Sequence, residues 1–335
     1  MDRDARDTLV KMLHRELWRI RSFFALDLFD YYDISPLFPP DFLTEAPMME
    51  TLMLHCSKLS PEGRLGWIHC PQLRTLLLTG CDKAVGSLIF KPMQNLRVLY
   101  YYNDTRLCIE LPQILPNLVS FTWSDSGRPL HHEIPRVTLP SLKFLAVDDC
   151  HWETTTRFLK HLDVPSLEHL NIERCFNVRG QGLDMVLDAI CGDGAVQLRH
   201  LDLGDGALNG ANFHAIWPHL KHLETLEVRD NSGVSADELF IPLSTRNHDF
   251  SFLCPQLKTV ELSYLEPMSM GALVDFVQRR VKSDLGGPGP GLATCLTLSG
   301  VWIDEEVSAQ LAKTHSLSFH LRNCWHNVVY RWLTV

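Results

Sequence analysis

Leu73-Arg74-Thr75-Leu76-Leu77-Leu78, Leu142-Lys143-Phe144-Leu145-Ala146-Val147 and Leu167-Glu168-His169-Leu170-Asn171-Ile172 are three copies of one pattern, L-x-x-L-x-L. Further copies start at Leu198, Leu223 and Leu257, and degenerate ones, with other apolar residues replacing Leu, at Phe23, Met49, Leu96, Leu118 and Ala293. Their first positions are separated by 26, 24, 23, 22, 24, 25, 31, 25, 34 and 36 residues. A recurrence of that length is the mark of a repeat architecture. Residues four and six of each copy fall on one side of a short strand and residue five on the other, because side chains alternate along extended chain. The expectation is an α/β chain in which each copy adds one strand to a parallel sheet, stacked as a right-handed solenoid with apolar columns running through it. Leu317-Ser318-Phe319-His320-Leu321 alternates in the same way and reads as a twelfth strand closing the array.

The spaces between copies carry their own signals. Proline recurs two residues before the first position, as Pro47, Pro71, Pro116, Pro140, Pro165 and Pro255, where it ends whatever precedes the strand. Cys70-Pro71-Gln72-Leu73 is repeated as Cys254-Pro255-Gln256-Leu257. Two copies at equivalent places read as buried structural thiols, not as ligands to haem. At the ninth position, Cys81, Cys150, Cys175 and Asn231 are placed to satisfy backbone groups as the chain leaves the sheet, while Asp104, Ser126 and Gly206 depart from that choice.

Units of 22 to 24 residues leave little room beyond strand and loop, whereas longer ones hold helices. The stripes Leu183, Val186, Leu187, Ile190; Phe213, Ile216, Trp217, Leu220; and Met270, Val274, Val277, Val281 predict three of them. Residues 232 to 254 read as an insertion at the outer face or rim. Residues 1–22, with Leu9, Leu13 and Leu17 four apart, predict an amphipathic helix that caps the core. Residues 23–335 then form the repeat array, interrupted by a glycine- and proline-rich loop at 284–291.

With 45% hydrophobic and 21% charged residues, the chain falls in the ordinary folded class and has no uncharged run of membrane-spanning length. Met1 to Ile20 mixes charges and lacks a signal-peptide core, which predicts a cytoplasmic or nuclear protein without membrane association. Ten cysteines scattered over 335 residues are expected as free thiols. A net charge of −9 disfavours nucleic acid and favours a basic partner.

The repeats, with cysteine after the strand and a helix-bearing segment such as Asn177-Val178-Arg179-Gly180-Gln181-Gly182-Leu183, resemble leucine-rich repeats of the cysteine-containing type. The overall texture resembles the repeat region of fungal F-box proteins, and the resemblance runs from about Leu17 to the C-terminus. It implies a curved horseshoe with the sheet on its concave face and loops or helices on its convex face. It also implies a protein-binding role, as in the substrate-recognition subunits of cullin-RING ubiquitin ligases. Arg15-Glu16-Leu17-Trp18-Arg19-Ile20-Arg21-Ser22 resembles the segment that follows the F-box in such proteins, but Met1 to Arg19 is too short to hold an F-box. The runner-up role is a regulator or inhibitor that docks an enzyme directly.

Enzymatic and cofactor readings find no constellation. Gly192-Asp193-Gly194 and Gly204-Asp205-Gly206 complete no phosphate-binding loop, and the sequon Asn103-Asp104-Thr105 lacks a secretory signal beside it. His169 and His200, both at position three of successive copies, are expected side by side without a third metal ligand. The expectation is a non-catalytic protein that carries no cofactor or metal. Its partner site is assigned to the concave face, formed by positions three, five, seven and eight. There Asp148, Asp149, Glu173, Asp202, Asp205, Glu227, Asp230 and Glu261 outnumber Arg174 and Arg229, so that acid gathers on one face. Tyr100 and Tyr102, at positions five and seven of one copy, are the expected aromatic anchors.

Overall fold

A computed structural model describes residues 8, 11–13, 15–25, 44–55, 68–79, 93–102, 115–124, 136–175, 183–191, 196–204, 216–229, 236–245, 252–264, 270–282, 295–299 and 318–322. The 284–291 loop therefore lies outside the described residues. The chain divides into two compact units, Met1–Ser166 and Leu167–Val335.

In the first unit, strands β1 (Ser22–Ala25), β3 (Thr51–His55), β5 (Thr75–Thr79), β6 (Val98–Tyr102), β7 (Ser120–Ser124) and β9 (Phe144–Asp148) neighbour one another in that order, all parallel. The register aligns equal repeat positions. Leu52, Leu76, Leu99, Phe121 and Leu145 form the position-four column, and Leu54, Leu78, Tyr101, Trp123 and Val147 the position-six column, all essentially shut off from solvent. The first copy corrects the reading above. Phe23 pairs with Leu52, a position-four residue, so that unit begins at Ile20 and not at Phe23.

Two features of the connections hold this register. Before each strand a four-residue turn closes with an N–H to C=O bond, as in Met49 to Ala46, Leu73 to Cys70 and Leu142 to Leu139, at 3.0 to 3.2 Å. Pro47, Pro71 and Pro140 occupy the second place of these turns, where a fixed φ is preorganised, and this gives the recurrent proline its reason. Next, the carbonyl at position two accepts from both position two and position three of the following unit. Glu50 O takes Arg74 N and Thr75 N at 2.8 and 3.0 Å, and Arg74 O takes Arg97 N and Val98 N at 2.8 and 2.9 Å. Asn95 and Asn117 add side-chain bonds to Pro71 O and Gln94 O in the preceding units. Shorter ladders pair β2 (Thr44–Glu45) with β4 (Ile68–His69), and β8 (Val137–Thr138) with β10 (Leu162–Asp163). Helix α1 (Trp152–Lys160) starts from a His151 cap and seats Phe158 against Trp123, 4.6 Å between ring centroids. At the N-terminus, residues 11–13 and 15–16 are helical, and Leu17, in the 3-10 turn Leu17–Arg19, is buried.

The second unit repeats the scheme with β11 (His169–Glu173), β12 (His200–Leu203), β13 (Thr225–Arg229), β14 (Thr259–Ser263), β15 (Cys295–Ser299) and β16 (Ser318–Arg322), again parallel and in chain order. Its columns are Leu170, Leu201, Leu226, Val260 and Leu296, then Ile172, Leu203, Val228, Leu262 and Leu298. The strand read at 317–321 pairs with β15, Phe319 opposite Leu296. Helix α2 (Leu183–Cys191) buries Leu183, Val186, Leu187 and Ile190, as its stripe requires. Of the stripe read at 213–220, Phe213 lies outside the described residues; Ile216 is helical, the 3-10 turn Trp217–His219 follows it, and Ile216, Trp217 and Leu220 are buried.

The region 232–254, read as an insertion, contains helix α3 (Ala236–Ser244), which packs on helix α4 (Met270–Lys282). Phe240 and Phe276 meet at 4.9 Å between ring centroids. Helix α4 buries Val277, as its stripe requires, together with Leu273, Phe276 and Arg280, whereas Val274 is half-buried and the side chains of Met270 and Val281 are outside those described. Arg280 is the unexpected member. Its guanidinium is fully buried and donates to Leu243 O at 2.8 Å, Cys254 O at 3.1 Å and Leu253 O, while lying 4.6 Å from the Phe252 ring centroid. Burial pulls its pKa down to about 10, so it stays cationic at neutral pH and satisfies one carbonyl at the end of α3 and two in the segment leading to β14.

Two outcomes follow. Leu145→Asp, which puts a carboxylate into a column residue with no exposure, should abolish the cooperative melt followed by circular dichroism. Arg280→Met keeps the volume but orphans three carbonyls. It should lower unfolding free energy in urea by about 2–4 kcal/mol, with Arg280→Lys recovering only part of the loss.

Candidate functional site

Because positions four and six point inward, positions three, five and seven of every strand share the opposite, open face. In the second unit, register places Asn171, Asp202, Glu227 and Glu261 in one position-five row across β11 to β14. Arg229, two residues along β13, reaches back to Asp202 with a fork, Nε to Oδ1 at 3.3 Å and Nη2 to Oδ2 at 2.7 Å, and its Nε lies 3.2 Å from Glu227 Oε1. Asn171 Nδ2 donates to the same Asp202 carboxylate at 3.1 Å. Bidentate guanidinium–carboxylate geometry is the strong kind, and here it is half shielded from solvent. The acids on this face are therefore not equivalent. Asp202 is held by two donors, whereas Glu227 has its pKa raised by burial and by its neighbours Asp202 and Glu261, against the pull of Arg229. Burial lowers the Arg229 pKa, but the hydrogen bond and charge of Asp202, with Glu227 and Glu173, raise it overall.

Glu173 and Gly204, both at position seven, are matched as large against small. A Cβ on Gly204 would stand 2.6 Å from Glu173 Cγ, so glycine is what lets the glutamate lie across β12. His169 and His200 are paired in register at position three, with ring centroids 5.4 Å apart and planes tilted by 37°. Burial lowers the His169 pKa, and the neighbouring His200 adds to this, while Asp202 opposes it. No group of three or more His, Cys, Asp or Glu among the described residues is arranged to hold a metal ion.

In the first unit the open face carries Tyr100 beside Thr122 and Ala146, and Tyr102 beside Ser124 and Asp148. Both tyrosines are half-buried, whereas Tyr101 between them is in the core. Thr122, Ser124 and Ala146 are buried although they belong to this face, so the polar tips here are Tyr100, Tyr102 and Asp148.

Position eight behaves differently from the other three. Asp149, Arg174 and Tyr264 all have φ between 50° and 55°, the left-handed conformation that turns the chain off the sheet end, and all three are exposed. The thiols at position nine do what their placement predicts. Cys150 and Cys175 sit 3.2 and 3.4 Å from the carbonyls of Asp148 and Glu173 and donate to them. Cys70 and Cys254 are buried, each with its pKa pushed up to about 12 by burial, as structural thiols are. Asp205, Asp230, Cys81 and Asn231 lie outside the described residues. Sequence reasoning missed Asn171, whose only signal was a polar residue at position five. It also missed the charged residues at position two, where Glu224 bonds Arg199 at 3.4 Å and Lys258 at 2.7 Å.

Because His169 prefers its neutral form in the fold, it contributes stability above the ordinary value of 6.5, lost as pH falls through its lowered pKa. Thermal melts of the wild-type chain should lose stability as pH falls below that value, and His169→Gln should flatten this part of the profile. No helix among the described residues is long and apolar enough to cross a membrane. Neither a protein-family model nor a curated protein sequence matches this chain, so its residues and their geometry carry the functional argument.

Proposed function

We propose that each unit is a stretch of leucine-rich-repeat solenoid of the cysteine-containing type, with its sheet on the concave side, and that the protein is a non-catalytic binding module for another protein. The observation that carries this reading is the contrast between faces in the second unit. Positions four and six are buried aliphatics from β11 to β15, while position five runs Asn171, Asp202, Glu227, Glu261 in register. Such a row displays charge on a rigid support, and because Arg229, two residues along β13, offsets only part of it, the row complements a basic surface. Tyr100 and Tyr102 give the first unit its own anchors, amphipathic rings held by the strand and costing little entropy on binding. The setting implied by the family resemblance is substrate recognition beside cullin-RING ubiquitin ligase components, in the cytoplasm or nucleus.

The test is kinetic. With a partner isolated by affinity capture, Glu227→Gln with Glu261→Gln should slow association and flatten its salt dependence, since steering acts on encounter. Tyr100→Ala with Tyr102→Ala should mainly speed dissociation. A partner that binds both double variants with wild-type rates sits elsewhere, and the open-face assignment is then wrong.

A further inference from the structure

Position two lies where the chain enters each strand, and the shared-carbonyl ladder fixes its neighbours one strand apart. In the second unit this rim is neutralised within itself, Arg199 and Lys258 both closing on Glu224. In the first unit it runs Arg21, Glu50, Arg74, Arg97, Val119, Lys143. Arg21 is 3.9 Å from Glu50, and after that pair only cations and one valine follow. Arg74, Arg97 and Lys143 are exposed. Arg97 donates to a carbonyl, Asn117 O at 2.9 Å, and among the described residues neither Arg97 nor Arg74 forms an ion pair. Arg74 and Arg97, like charges on adjacent strands about 4.8 Å apart, oppose the fold, and Glu50 beside Arg74 is already engaged by Arg21.

We propose that this rim, at Arg74 and Arg97, is a docking site for an acidic peptide segment of a partner protein. Guanidinium forks match carboxylates, and an extended peptide presents alternate side chains about 6.8 Å apart, within reach of long cationic side chains at strand spacing. A nucleic acid fits less well. Two cations release few counterions. The inference stands apart from the open-face reading, since it uses different positions of the repeat and its variants leave Tyr100, Glu227 and Glu261 in place.

Fluorescence anisotropy of a labelled oligoglutamate peptide against the full-length chain tests it. Saturable binding that weakens with salt is expected, and Arg74→Glu with Arg97→Glu should weaken it by about tenfold or more. Should that reversal disturb the fold, as read by circular dichroism, Arg74→Ala with Arg97→Ala should weaken binding in the same direction. Arg199→Glu, on the self-neutralised rim, should leave affinity unchanged. The proposal is overturned by absence of saturable binding, by wild-type affinity in the alanine variant, by an equal loss with Arg199→Glu, or by tighter binding of an RNA oligonucleotide of equal charge.

Discussion

One carbonyl per repeat, accepting two N–H groups from the next strand entry, is the constraint on which the rest of each unit depends. It recurs from Arg21 through Glu50, Arg74, Arg97 and Val119, and again at Glu168, Arg199 and Glu224. A slip of one residue would exchange the buried columns for the open face along a whole strand, so this bond and the apolar columns enforce each other. Everything variable is pushed into the connections. Unit length ranges widely because the ladder demands the same few residues each time and asks nothing of what lies between.

The polar chemistry is laid out by the same register. Asp202 and Arg229 are 27 residues apart in the chain, yet the alignment of β12 with β13 brings the guanidinium onto the carboxylate. Glu173 lies over Gly204 for the same reason. Charge on this face is consequently graded, with Asp202 tied down and Glu227 and Glu261 less engaged, which matters more for recognition than the raw count of acids.

The strands were legible because Leu, Val and Ile at positions four and six are demanded by burial. The first repeat was misplaced because Phe23, Leu26 and Leu28 satisfy the pattern better than Ile20, Phe23 and Ala25; backbone pairing, not side-chain size, decides there. Helix α4 was legible but the burial of Arg280 in it was not, since an arginine reads as a surface residue while its burial depends on carbonyls more than twenty residues away. Helix α3 escaped notice because Pro242 lies inside it. Of the candidate site, positions could be read from periodicity, but the pairing of Asn171, Asp202 and Arg229 could not, because it exists only between strands.

The buried cysteines have a consequence for chemical reactivity. Burial pushes the thiols of Cys70, Cys191 and Cys254 up to about 12, so they carry almost no thiolate at neutral pH, and each is enclosed by the fold. Alkylating and oxidising agents thus reach them at the pace at which the surrounding structure opens. One thiol in the first unit and two in the second serve as built-in clocks for local breathing, each reporting the lifetime of its own closed neighbourhood.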